Sequence, residues 1–398
     1  GLAVDLVIWN EDHAGYRQLL QEQIMGLISS VTGAHEIDRP GGIFVRLVDQ
    51  ISDEDRILFQ SVARVILSDS RGTLAEQINR RDLMEIRLPR LIPALKQTLP
   101  AMPPEIRLPQ RELDLANGTG GFTADGREYV ITTSSTRLTP APWVNIIANP
   151  EFGSVISESG QAYSWGENAH EFRLTPWAND PVSDGGGEVF YLRDEESGHY
   201  WSPTPLPRCG SGSGSGDYVT RHGFGYSVFE HVEDGIVSEL TVYVAVDASV
   251  KYSVLRVRNE SDSMRKLSAT GYVEWVLGDL RPKSSMHIVT ETDPATGALF
   301  ARNPYNTEFT ERAAFFDVDA SNRSVSGDRN EFIGRNGSLQ KPAAMERLRL
   351  SGKVGAGFDP CAALQVQFEL NQGQQREIVF ILGMADTRQT NASSLVQR

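Results

Sequence analysis

The chain has 398 residues, 40% hydrophobic and 23% charged, an ordinary composition for a soluble globular protein and enough length for two domains. Its formal net charge of −14 argues against a nucleic-acid partner, which requires a clustered basic surface. Two cysteines, Cys209 and Cys361, make no disulfide framework in so long a chain and suit a reducing compartment, with one bridge between them left open.

Residues 1–99 read as an α/β segment. Val4-Asp5-Leu6-Val7-Ile8-Trp9 is a short apolar strand. Between His13 and Ile28 the side chains of Tyr16, Leu19, Leu20, Ile24, Leu27 and Ile28 recur at helical spacing. Gly41-Gly42 precede a second strand, Ile43–Leu47. Ser52-Asp53-Glu54-Asp55 is a helix start, with a hydroxyl cap and acids at the positive end of the dipole. The helix that follows is expected to bury Ile57, Leu58, Val62, Val65 and Ile66. Gly72 interrupts, and a further helix is predicted over Thr73–Arg81. The segment is small for an independent core, so it is expected to be the tail of a larger upstream domain. Pro100, Pro103, Pro104 and Pro109 make 100–112 a linker.

From Leu113 to about residue 388 the period changes to two. Ser238–Val246, Val250–Arg258 and Lys266–Val276 alternate between turn residues. Glu188–Trp201 reads as a hairpin around Glu196-Ser197-Gly198, and Ala363–Glu369 with Glu377–Leu382 as another around Asn371-Gln372-Gly373. Cys209–Gly216 is a low-complexity Gly-Ser loop, after which Asp217-Tyr218-Val219 resumes the strand pattern. The expected class is mainly β with a smaller α/β part, the β part being a large two-sheet antiparallel sandwich. Apolar runs such as Val62–Leu67 and Ile378–Leu382 are far shorter than the ~20 residues of a membrane span. The chain opens on Gly1 without a signal-peptide pattern and reads as an excised piece.

Residues with sugar-reading chemistry concentrate between strands. Trp165, Glu167, Asn168, Arg173, Trp177, Asn179 and Asp180 are candidate substrate-binding residues. Indole faces stack on pyranose rings, while carboxylate, amide and guanidinium groups pair with hydroxyls. The structural alternative is a loop shaped by Pro176 and Pro181 whose tryptophans only pack. Arg221 and His222 are candidates for an anion or a sugar hydroxyl, although His222 and His231 also suit ordinary strand positions. Glu11 and Asp12, at a strand end, are alternative carboxylates for a transglycosylase or glycosidase, or plain turn acids. Gly118-Thr119-Gly120-Gly121 precedes a strand and no helix, so it is a turn and no dinucleotide fingerprint. The seven histidines are dispersed, with no metal-ligand spacing; no metal and no cofactor is expected.

One resemblance covers essentially the whole chain. Asn-Gly-Thr-Gly-Gly-Phe-Thr-Ala-Asp-Gly-Arg-Glu-Tyr-Val-Ile (117–131) resembles the opening of the N-terminal β-sandwich of inverting glycoside phosphorylases, the family of cellobiose and chitobiose phosphorylases. Thr-Pro-Ala-Pro-Trp (139–143), Leu-Thr-Pro-Trp-Ala-Asn-Asp-Pro (174–181), Tyr-Leu-Arg-Asp-Glu-Glu-Ser-Gly (191–198) and Trp-Ser-Pro-Thr-Pro-Leu-Pro (201–207) continue it. So do Arg-His-Gly-Phe-Gly-Tyr (221–226), Tyr-Val-Glu-Trp-Val-Leu-Gly (272–278) and Ala-Arg-Asn-Pro-Tyr-Asn (301–306). Asp-Leu-Val-Ile-Trp-Asn-Glu-Asp (5–12) and Leu-Ser-Asp-Ser-Arg-Gly-Thr-Leu-Ala-Glu-Gln (67–77) resemble the segment before the phosphorylase-like region of cyclic β-1,2-glucan synthases. The Gly-Ser loop departs from the pattern.

The resemblance implies a galactose-mutarotase-like supersandwich over 113–388, with 389–398 starting a linker to an α/α-barrel. It places the general-acid carboxylate in that barrel, so no catalytic residue is expected in this chain, which alone is expected to be inactive and to support a barrel that controls glucan chain length; the alternative is a stand-alone carbohydrate-binding module. It implies as partners a β-1,2-glucan or oligosaccharide, the barrel of the same polypeptide, and a second copy in a homodimer. It implies a location on the cytoplasmic side of a bacterial inner membrane, as part of a membrane-anchored parent.

Overall fold

The computed structural model describes residues 4–11, 19–31, 36–78, 106, 108–134, 136–208, 210 and 216–387. The chain divides into two compact units, Gly1–Leu95 and Lys96–Arg398.

In the first unit β1 (Leu6–Asn10) and β2 (Ile43–Leu47) pair in parallel, with Leu6 opposite Ile43. A parallel pair needs a crossover, and α1 (Leu19–Val31) lies in that connection. The His13–Gln18 part of the expected helix and Asp12 lie outside the described residues. α2 (Asp53–Val62) starts as read: the Asp55 amide donates to Ser52 Oγ at 3.1 Å. Its apolar side differs from expectation. The helix ends at Val62, and Ile57, Leu58, Val62, Val65 and Ile66 are all exposed. Two short strands offer too little surface to cover them. Among the described hydrophobic residues of this unit only Ile28 and Val45 are buried. α3 (Leu74–Ile78) begins as read, and 79–81 lie outside the described residues.

The second unit consists of antiparallel strands: β3 (Gly120–Phe122), β4 (Glu128–Thr133), β5 (Val144–Ala148), β6 (Phe152–Ser157), β7 (Ala162–Gly166), β8 (Glu188–Asp194), β9 (Tyr200–Trp201), β10 (Tyr218–Gly223), β11 (Tyr226–Glu233), β12 (Ile236–Val244), β13 (Val250–Asn259), β14 (Arg265–Glu274), β15 (Val289–Thr292), β16 (Leu299–Arg302), β17 (Arg312–Val318), β18 (Arg323–Asp328), β19 (Pro360–Leu370) and β20 (Gln375–Asp386). Among the described residues they form a ten-stranded sheet, β15-β16-β17-β20-β13-β12-β11-β10-β4-β3, and a five-stranded sheet, β18-β19-β14-β8-β9. A three-stranded sheet, β5-β6-β7, accompanies them.

Alternation builds the core. Leu240, Val242, Leu255, Val257, Ile378 and Phe380 from the large sheet join Leu267, Ala269, Val273, Leu364, Val366 and Phe368 from the five-stranded sheet in one buried cluster. Each of the Val, Leu, Ile and Phe side chains among them contributes roughly 1.5–3 kcal/mol on leaving water.

The Glu188–Trp201 hairpin is present as β8–β9. The second predicted hairpin is not. β19 pairs with β14 and β18, whereas β20 pairs with β13 and β17 in the other sheet. Both strands direct alternate residues into the core between the sheets, so the 371–374 connection arches across that core. Cys361 is a buried free thiol, pushed up by its burial; Cys209 and 211–215 lie outside the described residues. Among the described residues, no helix is long and apolar enough to cross a membrane.

Candidate functional site

β7 positions the aromatic candidates. Tyr163 and Trp165 are two residues apart in a strand and share a face. Their cross-strand neighbours on β6 are Val155 and Gly153. A Cβ at residue 153 would fall inside the indole of Trp165, so the bare glycine lets that ring lie over the strand. Tyr163 packs against Trp165 at 5.3 Å between centroids and against Trp177 at 4.7 Å. The result is a row of three rings: Tyr163 is buried, Trp165 half-buried, and Trp177 at the outer end is 39% exposed.

The loop carrying Trp177 is held by its own polar groups. Trp177 forms a β-bridge with Gly186. Asp180 accepts from the Ser183 hydroxyl and from the amides of Val182 and Ser183, and the Ser183 bond leads in holding its carboxyl below the usual range. Asn179 is exposed with φ 47°.

The other candidates connect this loop to its surroundings. Glu167 accepts from Arg312 Nε on β17, and Arg312 also pairs with Asp386 on β20 at 2.7 Å. Asn168 Oδ1 accepts from the amides of His170 and Glu171, both at 2.9 Å. Arg173 exchanges backbone bonds with Gly278 at 3.1 and 3.2 Å, and its guanidinium donates to the Asp279 carbonyl at 3.2 Å.

That junction opens onto a cleft of about 300 Å³ whose lining includes Glu171, Asp279, Lys283, His287, Asn303 and Tyr305. His287 stacks on Tyr305 at 4.1 Å, and Tyr305 is 72% exposed. Sequence pattern alone does not single out this cleft; its one signal there is the aromatic in Asn-Pro-Tyr-Asn (303–306).

Arg221 and His222 lie elsewhere, on β10 of the large sheet, and strand alternation sends them to opposite faces. Arg221 pairs with Glu128 at 2.6 Å and Glu230 at 3.4 Å. Burial works to raise the Glu128 carboxyl, but hydrogen bonds from Arg221 and Tyr226 prevail and hold it low. Arg221 borders an open cleft of about 900 Å³ that also includes Phe224, Tyr226, Tyr243 and Arg256. His222 uses both ring nitrogens internally, toward Ser227 Oγ at 2.9 Å and the Trp143 carbonyl at 3.1 Å. Burial lowers it to about 4. Glu11, 62% exposed by side chain, pairs with Arg56 at 3.3 Å.

The antiparallel sandwich thus carries one exposed indole, Trp177, at the end of an aromatic row, and a polar cleft lined by Asp279, His287 and Tyr305. The chain belongs to the family described as "Glycosyl hydrolase 94, supersandwich domain", which it matches over residues 127–398. It is 33% identical over 397 residues to the cyclic beta-(1,2)-glucan synthase NdvB of Rhizobium meliloti (strain 1021), covering 97% of this chain and 14% of that protein. It is 32% identical over 273 residues to the N,N'-diacetylchitobiose phosphorylase of Vibrio furnissii, covering 67% of this chain and 33% of that protein. Among solved structures, an aldose epimerase homologue from C. elegans superposes with a TM-score of 0.34 at 10% identity, over 62% of this chain and 99% of that one. The chain is thus a carbohydrate-related domain of the glucan synthase and phosphorylase family, and it spans a third or less of the curated relatives named here.

Proposed function

We propose that this chain is the non-catalytic, sugar-facing sandwich of a cyclic β-1,2-glucan synthase, forming one wall of a glucan site completed by a phosphorylase-like α/α-barrel of the same polypeptide. The observation that carries this reading is the Trp165–Tyr163–Trp177 row, whose Trp177 indole is exposed on a loop that also carries the exposed Asn179 and Asp180. A pyranose presents an apolar C–H face and a rim of hydroxyls, which an indole and neighbouring Asn, Arg and carboxylate groups complement.

Inverting phosphorolysis needs one carboxylic acid to protonate the leaving oxygen, with phosphate as the nucleophile. Glu167 is committed to Arg312, while Asp180 is held by its own turn below the usual carboxylate range. Asp180 is therefore not poised as a proton donor near neutral pH, which supports a binding role and an acid supplied by the barrel. In the whole protein this wall would hold the chain being trimmed and so contribute to setting its length.

The test is calorimetry of the chain with β-1,2-gluco-oligosaccharides, alongside an assay of glucose 1-phosphate release. Binding that Trp177→Ala weakens by about 1–3 kcal/mol, with no phosphorolysis, is the expected result. Absence of binding, or unchanged affinity in Trp177→Ala, removes the aromatic wall. Robust glucose 1-phosphate release by the chain alone removes the non-catalytic role.

A further inference from the structure

Where β9 of the five-stranded sheet passes the β11–β12 turn of the large sheet, three ligand-type side chains converge. His199 immediately precedes β9. Glu233 ends β11, and Asp234-Gly235 makes a two-residue turn with φ of 47° and 81° before β12 begins at Ile236. Both positive φ values match the type I′ hairpin turn that Asp-Gly favours, and this fixes Asp234 beside Glu233. His199 Nε2 lies 2.7 Å from Glu233 Oε1 and 3.9 Å from Asp234 Oδ2. One ligand atom from each of the three residues lies within 4.8 Å of the others.

We propose that His199, Glu233 and Asp234 bind a divalent transition-series cation of the zinc type, which clips the two large sheets together. A tetrahedral zinc ion with donors at about 2.0–2.2 Å holds neighbouring donor atoms roughly 3.4 Å apart. The two observed separations straddle that spacing, so small side-chain rotations assemble the set. The imidazole selects zinc-type ions over magnesium and calcium, which prefer all-oxygen shells.

The surroundings suit an ion. Glu233 is fully buried, and its second oxygen takes His231 Nε2 at 3.3 Å, an orienting contact of the kind that tunes metal-bound carboxylates. Trp201 stacks on the His199 ring at 5.6 Å and fixes its plane. The side chains of His199 and Asp234 are 25% and 32% exposed, so water can complete the shell. Two cations lie near the cluster: Arg208, which acts electrostatically on His199, and Arg265. Arg265 donates to the Asp234 carbonyl, and its cation is neutralised by Asp194 at 2.7 Å.

The experiment uses the full chain stripped with chelator and titrated separately with Zn2+, Co2+ and Mg2+. Thermal unfolding and Co2+ visible absorption are the readouts. A single Zn2+ or Co2+ equivalent should bind and raise the Tm, while Mg2+ should not. His199→Gln retains a polar group near Glu233, and Asp234→Asn retains a favoured turn residue, so both variants should fold. Each should weaken Zn2+ by at least about tenfold. No Zn2+-dependent rise in wild type, or equal Zn2+ binding in wild type and both variants, would overturn the proposal.

Discussion

Gly153 stands directly across the β6–β7 pair from Trp165, and the indole fills the space that any side chain at 153 would need. The Trp165 end of the aromatic row therefore depends on a missing Cβ. Gly153→Val should push the indole off the strand and cost about 1–3 kcal/mol by overpacking. Urea unfolding measures the loss, and a shift in tryptophan emission reports the displaced ring. Unchanged stability and emission would show that the ring does not depend on this contact.

Lys251 and Glu188 form a buried ion pair, 3% and 5% exposed, with Ser154 and Ser164 also bonded to the Lys251 ammonium. Lys251→Met strands a buried carboxylate and should destabilise by about 3–5 kcal/mol. The double variant Lys251→Met/Glu188→Gln should recover part of that. A chemical-denaturation cycle resolves the coupling, and additive single effects would contradict it.

His222 makes a signed pH prediction. Its folded value is about 4 against an ordinary 6.5, so the unfolded chain takes up the proton first as pH falls. The stability tied to its neutral form is complete above about 6.5 and is lost as pH falls toward 4, up to about 3 kcal/mol. His222→Gln should flatten that part of the stability–pH curve relative to wild type. Parallel curves for the two proteins would refute the assignment.

Asn259 is fully buried; it donates to the Ser263 and Leu370 carbonyls and accepts from the Ser261 amide and hydroxyl. Its backbone also bonds Gly373 and Gln374 in the arch. Asn259→Ala leaves these groups unpaired and should cost about 2–4 kcal/mol. A loss below about 1 kcal/mol, read from urea midpoints, would mean that the arch is held elsewhere.

Period-two alternation in β12 and β13 makes the sandwich legible, because each has one face on the core and one largely toward solvent, whereas β14 is buried on both faces from Leu267 to Val273. The arch at 371–374 was not legible. A short polar connection between two strands reads the same whether they pair or cross to facing sheets, and only long-range partners distinguish the cases. On α2 the apolar spacing was correct in kind, but spacing does not say whether a covering surface exists. At the site, Trp177 is visible as a large aromatic in a loop, whereas Trp165, read as lying between strands, sits within β7. His287 with Tyr305, and His199 with Glu233, are not visible, because topology brings together residues that sequence distance separates.

The arch also bears on the order in which the protein can be made. β20 lies between β17 and β13, and β19 between β18 and β14. Until the ribosome has delivered these two strands, the ten-stranded sheet is split into parts of three and six strands and the five-stranded sheet into β18 alone and a part of three, with bare edges facing each gap. Nascent chains paused before residue 360 would offer four unpaired edges to one another, the arrangement most prone to intermolecular pairing. The arch thus acts as a keystone, closing both walls of the sandwich at once.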